Sequence, residues 1–167
     1  MLYLLDANTL ITAKNLYYQM ERVPEFWDWL LHHGRKGSLK IPPEIFNELR
    51  NGKDELADWV KHPDVEAVLL LDEELAPELV QRVLADGYAP DLSDIDLEKI
   101  GMDPFMIAYA LARPDNRMVI SGEVSAPGKK RANRRVPDVC RSVGVKCNNL
   151  FKLVNDLNFS TSWDADA

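Results

Sequence analysis

Five short apolar runs punctuate the chain: Leu2-Tyr3-Leu4-Leu5, Leu39-Lys40-Ile41, residues 65–71, Met118-Val119-Ile120 and Val143-Gly144-Val145. Each has strand length, and helical patterning fills the spaces between them. Strands that alternate with helices imply a mostly parallel sheet covered on both faces, because a parallel crossover needs an intervening helix. The fold class read from the sequence is therefore α/β, with helices layered around a central sheet. The pattern leaves strand order open.

The helical segments have their own punctuation. A helix is expected from Asn8 to Tyr18, with Asp6 or Asn8 as its cap. Pro24 opens a second helix through Phe26, Trp27, Trp29, Leu30 and Leu31, which Gly34 is expected to stop. Pro42-Pro43 turns the chain into a helix from Glu44 to Arg50, and Leu56, Trp59 and Val60 mark another at i, i+3, i+4 spacing. Residues 74–85 carry an apolar stripe, residues 87–95 read as a loop, and Asp103-Pro104 begins a strongly apolar helix to Ala112 with Asp103 as cap. A long basic connection spans 121–135. A short helix follows Val136-Pro137-Asp138, and Asn149 caps a last one. One domain is expected over residues 1–160, with 161–167 as a loose tail.

Bulk properties narrow the function classes. The 167 residues are 46% hydrophobic and 28% charged, which is ordinary for a soluble globular domain. No apolar stretch approaches the ~20 residues of a membrane span, and the start lacks signal-peptide features, so a cytoplasmic protein is expected. Cys140 and Cys147, with His32, His33 and His62, make no zinc spacing and are expected to be reduced thiols. The net charge of −7 argues against a protein that coats nucleic acid, yet an acidic metal site beside a locally basic path fits that charge. Trp27, Trp29 and Trp59 lie on helical stripes and read as core or dimer contacts.

The acids are the informative residues. Asp6 ends the first strand, where a carboxylate is costly unless a cation or donors meet it, and the carboxyl ends of parallel strands are where ligands bind. Glu48 lies at the edge of the Ile45/Leu49 face. Asp103 heads the apolar helix, Glu123 follows the Met118-Val119-Ile120 strand by three residues, and Asp138 stands at the next helix start. Taken singly, Asp103 and Asp138 read as N-caps, and Glu48 and Glu123 as solvated side chains.

In combination, Asp6-Ala7-Asn8-Thr9-Leu10-Ile11, Pro43-Glu44-Ile45-Phe46-Asn47-Glu48-Leu49, Asp103-Pro104-Phe105-Met106-Ile107-Ala108-Tyr109-Ala110 and Val119-Ile120-Ser121-Gly122-Glu123 resemble the PIN domain family, in the expected order and over nearly the whole chain. The resemblance implies a three-layer α/β sandwich and a Mg²⁺- or Mn²⁺-dependent ribonuclease. It also implies the role of a toxin in a toxin–antitoxin module, with RNA as substrate, an antitoxin protein as partner and a homodimer as assembly. Asp6, Glu48, Asp103 and Glu123 match the family's acids, and Asn8 and Ser121 its small polar residues. Two departures stand out: Glu replaces the more usual Asp at 123, and the segment after it is long and basic. Asp138 is therefore a rival or additional metal ligand.

Such a cluster needs no side-chain nucleophile, because a cation can activate water and stabilise the leaving oxygen. Carboxylates sharing a pocket raise one another's pKa until a cation neutralises them. Asn8, Thr9 and Ser121 would hold carboxylates or metal waters in place, or serve as caps. The dense positive run containing Lys129, Lys130, Arg131, Arg134 and Arg135 would grip phosphates and be mobile without them. Two rival readings are a non-catalytic domain of the same fold and a phosphatase-like domain with an aspartyl nucleophile at Asp6. The latter lacks a second Asp where Asn8 stands.

Overall fold

The computed structural model describes residues 1–165. Strands β1 (Leu2–Leu5), β2 (Leu39–Lys40), β3 (Arg117–Ile120) and β4 (Lys146–Asn148) form one parallel sheet in the order β2-β1-β3-β4. Tyr3, Leu4 and Leu5 are all buried, although successive residues point to opposite faces, so the sheet is covered on both sides. The result is a three-layer α/β sandwich, as the alternation of elements requires. From β1 the chain steps to β2 on one side, then later returns to β3 on the other. The order thus reverses between β1 and β3, and their carboxyl ends, Leu5 opposite Ile120, border the crevice where ligands of such sheets sit.

Proline sets many of the helix starts. Helices α1 (Ala7–Thr12), α2 (Pro24–Arg35), α3 (Pro43–Arg50), α4 (Glu55–Lys61), α5 (Pro63–Leu69), α6 (Pro77–Arg82), α7 (Asp94–Ile100), α8 (Asp103–Leu111), α9 (Val136–Val143) and α10 (Leu150–Asp156) surround the sheet. Six of them, α2, α3, α5, α6, α8 and α9, carry Pro in the first turn, where its missing N–H costs nothing. Two helices widen at their ends into π turns, α1 over Ala13–Tyr17 and α6 over Val83–Tyr88. No helix among the described residues is long and apolar enough to cross a membrane.

Several sequence expectations change. Residues 65–71 are not a strand: Pro63 opens α5, the His62 ring caps it by accepting from the Asp64 N–H at 3.3 Å, and Val65 and Leu69 bury one helical face. Leu70 alone reaches the sheet edge, in a single bridge to Ile41. Gly34 does not stop α2. Its missing side chain lets α5 close in, since a Cβ there would lie 2.6 Å from Leu69 Cδ2 and 2.7 Å from Val68 Cγ1. The left-handed residue is Gly37, at φ +71°. The strand expected at 143–145 forms at Lys146–Asn148 instead, because Gly144 in the left-handed region caps α9.

The segment 87–95 is not loop throughout, for Ser93 and Asp96 build a capping box that starts α7. Residues 161–165 are turns and not a loose tail: Trp163 donates its indole N–H to the Glu25 carbonyl at 2.9 Å and packs on His32. Residues 166–167 lie outside the described residues. Trp27 and Trp29 are core, and Trp59 meets Trp27 edge-on at 5.0 Å.

Candidate functional site

The crevice at the β1/β3 boundary begins with Asp6. Its backbone N–H donates to the Ile120 carbonyl at 3.0 Å, continuing the β1–β3 ladder one step past both strands. Its carboxylate, only 2% exposed, accepts from Ser121 Oγ at 2.9 Å and from the Asn8 N–H at 3.4 Å, so it caps α1. Ser121 in turn accepts from the Glu123 N–H at 3.2 Å, and its backbone N–H donates to the Asn148 carbonyl at 2.9 Å. Thr9 Oγ1 donates to the Ile120 carbonyl at 3.1 Å and pins α1 to the end of β3. Ser121 and Thr9 thus orient the crevice through buried hydrogen bonds. Asn8 contributes its backbone, while its side chain is exposed.

Asp103 enters from α8. It is not the N-cap the sequence suggests: Met102 holds that position and Asp103 is the first helical residue. Among the described residues its carboxyl has no hydrogen-bond partner. Burial pushes its pKa up to about 8, and the charges of Asp6, Glu123 and Glu48 push in the same direction. Burial likewise raises Asp6 to about 6 against the lowering hydrogen bonds from Ser121 and Asn8, with Glu123 and Glu48 adding to the rise. Asp6 and Asp103 therefore both feel Glu48 and Glu123, although 117 positions of sequence separate Asp6 from Glu123. Glu48 lies on the exposed face of α3. Glu123 accepts from the Val136 N–H at 2.7 Å, which tethers it to the start of α9, and from Arg135 at 3.4 Å.

Asp138 stands apart. Both its oxygens are engaged, by Ser125 Oγ at 2.5 Å and the Ala126 N–H at 2.7 Å, with Arg141 at 3.2 Å, and the Ser125 bond leads in holding its pKa below the usual carboxylate value. It anchors the segment between β3 and α9 and does not face the other four. Its place in the sequence suits a rival ligand, but the loop donors that consume it leave no local sign there.

The basic run is fastened down, contrary to the mobile loop expected. Arg131 pairs with Asp91 at 2.7 Å and Asp96 at 3.0 Å, Ala132 is buried in a short 3₁₀ turn, and Arg134 binds the carbonyls of Gly87 and Asp138. Acids of the α7 region cancel the repulsion that the run would suffer alone. Lys129 and Lys130 are exposed, without partners among the described residues. A cleft of about 230 Å³ joins the two themes, lined by Asp103 and Glu123 together with Lys99, Lys129, Arg134 and Arg135. Lys99 is a residue that sequence reasoning misses. It sits on α7, four residues beyond a segment that reads as loop, and donates to Asn133 at 2.6 Å.

The donor set suits a hard cation: carboxylates and hydroxyls, no imidazole or thiolate. Asp6 and Asp103 are raised first by burial and then by neighbouring negative charge, an electrostatic condition a divalent ion relieves. Among the described residues, however, no three Asp, Glu, His or Cys side chains stand close enough to ligate a single ion directly. Cys140 and Cys147 are free thiols.

Neither the curated proteins nor the solved structures include a match to this chain. A family model described as a domain of unknown function, DUF4411, matches residues 3–161, which takes in most of β1, the four acids and the basic run. Matched over nearly its whole length, the chain belongs to that family.

Proposed function

We infer that the acid crevice is the centre of a Mg²⁺- or Mn²⁺-dependent endoribonuclease, resembling PIN-domain toxins, with RNA as substrate and an antitoxin protein as its regulator in the cell. One observation carries the reading. Asp6, buried at the sheet's switch point, and Asp103, half-buried at the start of α8, both have raised pKa values, and Asp103 has no protein donor among the described residues. A site kept in that condition favours an incoming cation.

Asp6, Asp103, Glu48 and Glu123 are the residues that would hold it, directly or through the waters that Mg²⁺ keeps. The bound ion would neutralise the acids, lower the pKa of a water and stabilise the leaving 3′ oxygen. The chain's own contribution is placement. Ser121 and the Asn8 N–H fix the Asp6 carboxylate, Thr9 locks α1 against β3, and the Val136 N–H orients Glu123. Lys129, Lys99 and Arg135 edge the same cleft as Asp103 and Glu123, so a phosphodiester drawn to the bases comes to rest against the acids.

The separation of the acids favours one second reading, a non-catalytic domain that uses the cleft for binding alone. Calorimetric titration with Mn²⁺ separates the two, since that reading requires no site-specific binding. For the nuclease, Asp6→Asn is expected to lower Mn²⁺-dependent RNA cleavage by several orders of magnitude with the circular dichroism unchanged. Undiminished cleavage by the folded variant refutes the assignment.

A further inference from the structure

A pair of exposed aromatic rings borders the acid crevice. Tyr17, at the end of the π turn that widens α1, and Phe151, in the first turn of α10, are each 48% exposed. Their rings meet edge-to-face at 5.2 Å and 72°. They come from opposite ends of the chain, and neither is left loose. Tyr17 leans on Tyr18 at 6.5 Å, and Tyr18 stacks flat on the buried Phe26 at 4.2 Å and 12°. An aromatic ladder thus runs from the core to solvent and holds its outermost rings in place.

These rings flank a cleft of about 480 Å³, within the size range of small-molecule sites (about 300–1,000 Å³). Its polar lining includes Asn148 and Asn149, at the carboxyl end of β4. Asn148 Oδ1 accepts from the Asn149 N–H at 2.9 Å, and Asn149 Oδ1 accepts from the Lys152 N–H at 3.1 Å. Neither side-chain NH₂ group makes a hydrogen bond among the described residues, so both remain available as donors at the cleft. Ser121 and Glu123 line its inner end, and Glu123 also lines the acid cleft, so the two hollows share one wall.

We propose that this second cleft is a nucleobase subsite, in which one unpaired base of single-stranded RNA stacks on Phe151 with Tyr17 against its edge, while its neighbouring phosphate lies at the acids. The proposal rests on the ribonuclease reading. A stacked base needs a rigid π face, which the ladder supplies at little ordering cost. Its carbonyl and ring-nitrogen acceptors need donors at the rim, which Asn148 and Asn149 supply. A single strand presents a phosphate and an adjacent base at once, matching both hollows and the shared wall between them.

The test uses a fluorescein-labelled single-stranded RNA and the same strand with its bases removed, titrated by anisotropy in Mg²⁺ against the cleavage-silent Asp6→Asn protein. The intact strand is expected to bind about 10-fold or more tightly than the abasic one, the contribution of one base on an aromatic platform. Adding Phe151→Leu, which keeps apolar bulk without a π face, should erase that difference and leave abasic binding alone; Phe151→Trp should retain it. Tyr17→Leu provides an independent route if the first variant folds poorly. Equal affinity for the two strands, absence of binding to either, or a base-dependent difference that survives both leucine variants overturns the subsite. Failure of the wild-type protein to hydrolyse RNA overturns the nuclease reading instead, and leaves the comparison of intact with abasic strand standing as its own result.

Discussion

Replacing Asp103 by Asn removes a charge and little else, since the two side chains are nearly isosteric and the carboxyl has no donor to lose among the described residues. In the native state its pKa lies at about 8 against an ordinary 3.8. Below the ordinary value both folded and unfolded chains hold the proton, and Asp103 costs nothing. Between 3.8 and about 8 the native state keeps a proton that the unfolded state releases, so stability falls as pH rises; above about 8 the loss is complete. At about 1.4 kcal/mol per unit, the ceiling at pH 7 is roughly 4 kcal/mol. Asp103 retains some solvent exposure, and water in the cleft together with side-chain relaxation reduces this to about 2 kcal/mol. Urea unfolding in EDTA should therefore find Asp103→Asn more stable than wild type by about 2 kcal/mol near pH 8, or roughly 4–8 °C in Tm, with the gap closing toward pH 4. Mn²⁺ should stabilise wild type near pH 8 and the variant much less. A gap independent of pH, or a variant less stable than wild type near pH 8 without metal, would refute the claim that Asp103 is held against its own charge.

Glu123→Gln should weaken Mn²⁺ binding in calorimetry. Asp138→Asn should leave that affinity nearly intact but cost about 1–3 kcal/mol of stability, because it strips charge from an acceptor of three hydrogen bonds; the opposite ranking for metal affinity would move the ligand assignment to Asp138. Lys129→Ala with Lys130→Ala should weaken RNA binding and reduce its salt slope by about 0.7 for each phosphate no longer neutralised, whereas Arg131→Ala should chiefly lower the melting temperature. An unchanged salt slope in the double lysine variant would place the RNA elsewhere. Gly87→Ala should cost about 1–3 kcal/mol in urea melts, since its Cβ would stand 2.6 Å from Val139 Cγ1, and a neutral result would mean that α9 yields easily.

The α/β class and the place of Asp6 are legible in the sequence because both depend on local pattern: an apolar run, then an acid with a short polar neighbour. Residues 65–71 mislead because Val65, Val68, Leu69, Leu70 and Leu71 suit a strand in composition, while Pro63 and the Val65/Leu69 spacing decide for a helix. Asp103 is found at the right place but given the wrong job, since a cap and a first-turn residue differ by a single position. The separation of Glu123 from Asp138 and the pinning of Arg131 have no local signal. They depend on Ser125, Ala126, Asp91 and Asp96, whose approach is set by tertiary packing. The aromatic ladder joining Tyr17 to Phe26 is likewise invisible, although each of its rings stands in plain view.

Strand β1 occupies the middle of the sheet yet is the first element of the chain, and Asp6 waits 115 residues for Ser121. During synthesis the ribosome delivers β1 and β2 long before β3, so the sheet's interior neighbour arrives late and loop closure over that span slows its docking. Until then Asp6 lacks its Ser121 donor, Asp103 lacks the charge of Glu123 and the crevice lacks the end of β3. Whatever chemistry the four acids perform is thereby withheld from nascent chains and from fragments that end before β3. The order of strands acts as a timer, completing the crevice only once β3 has followed β1 and β2 out of the ribosome.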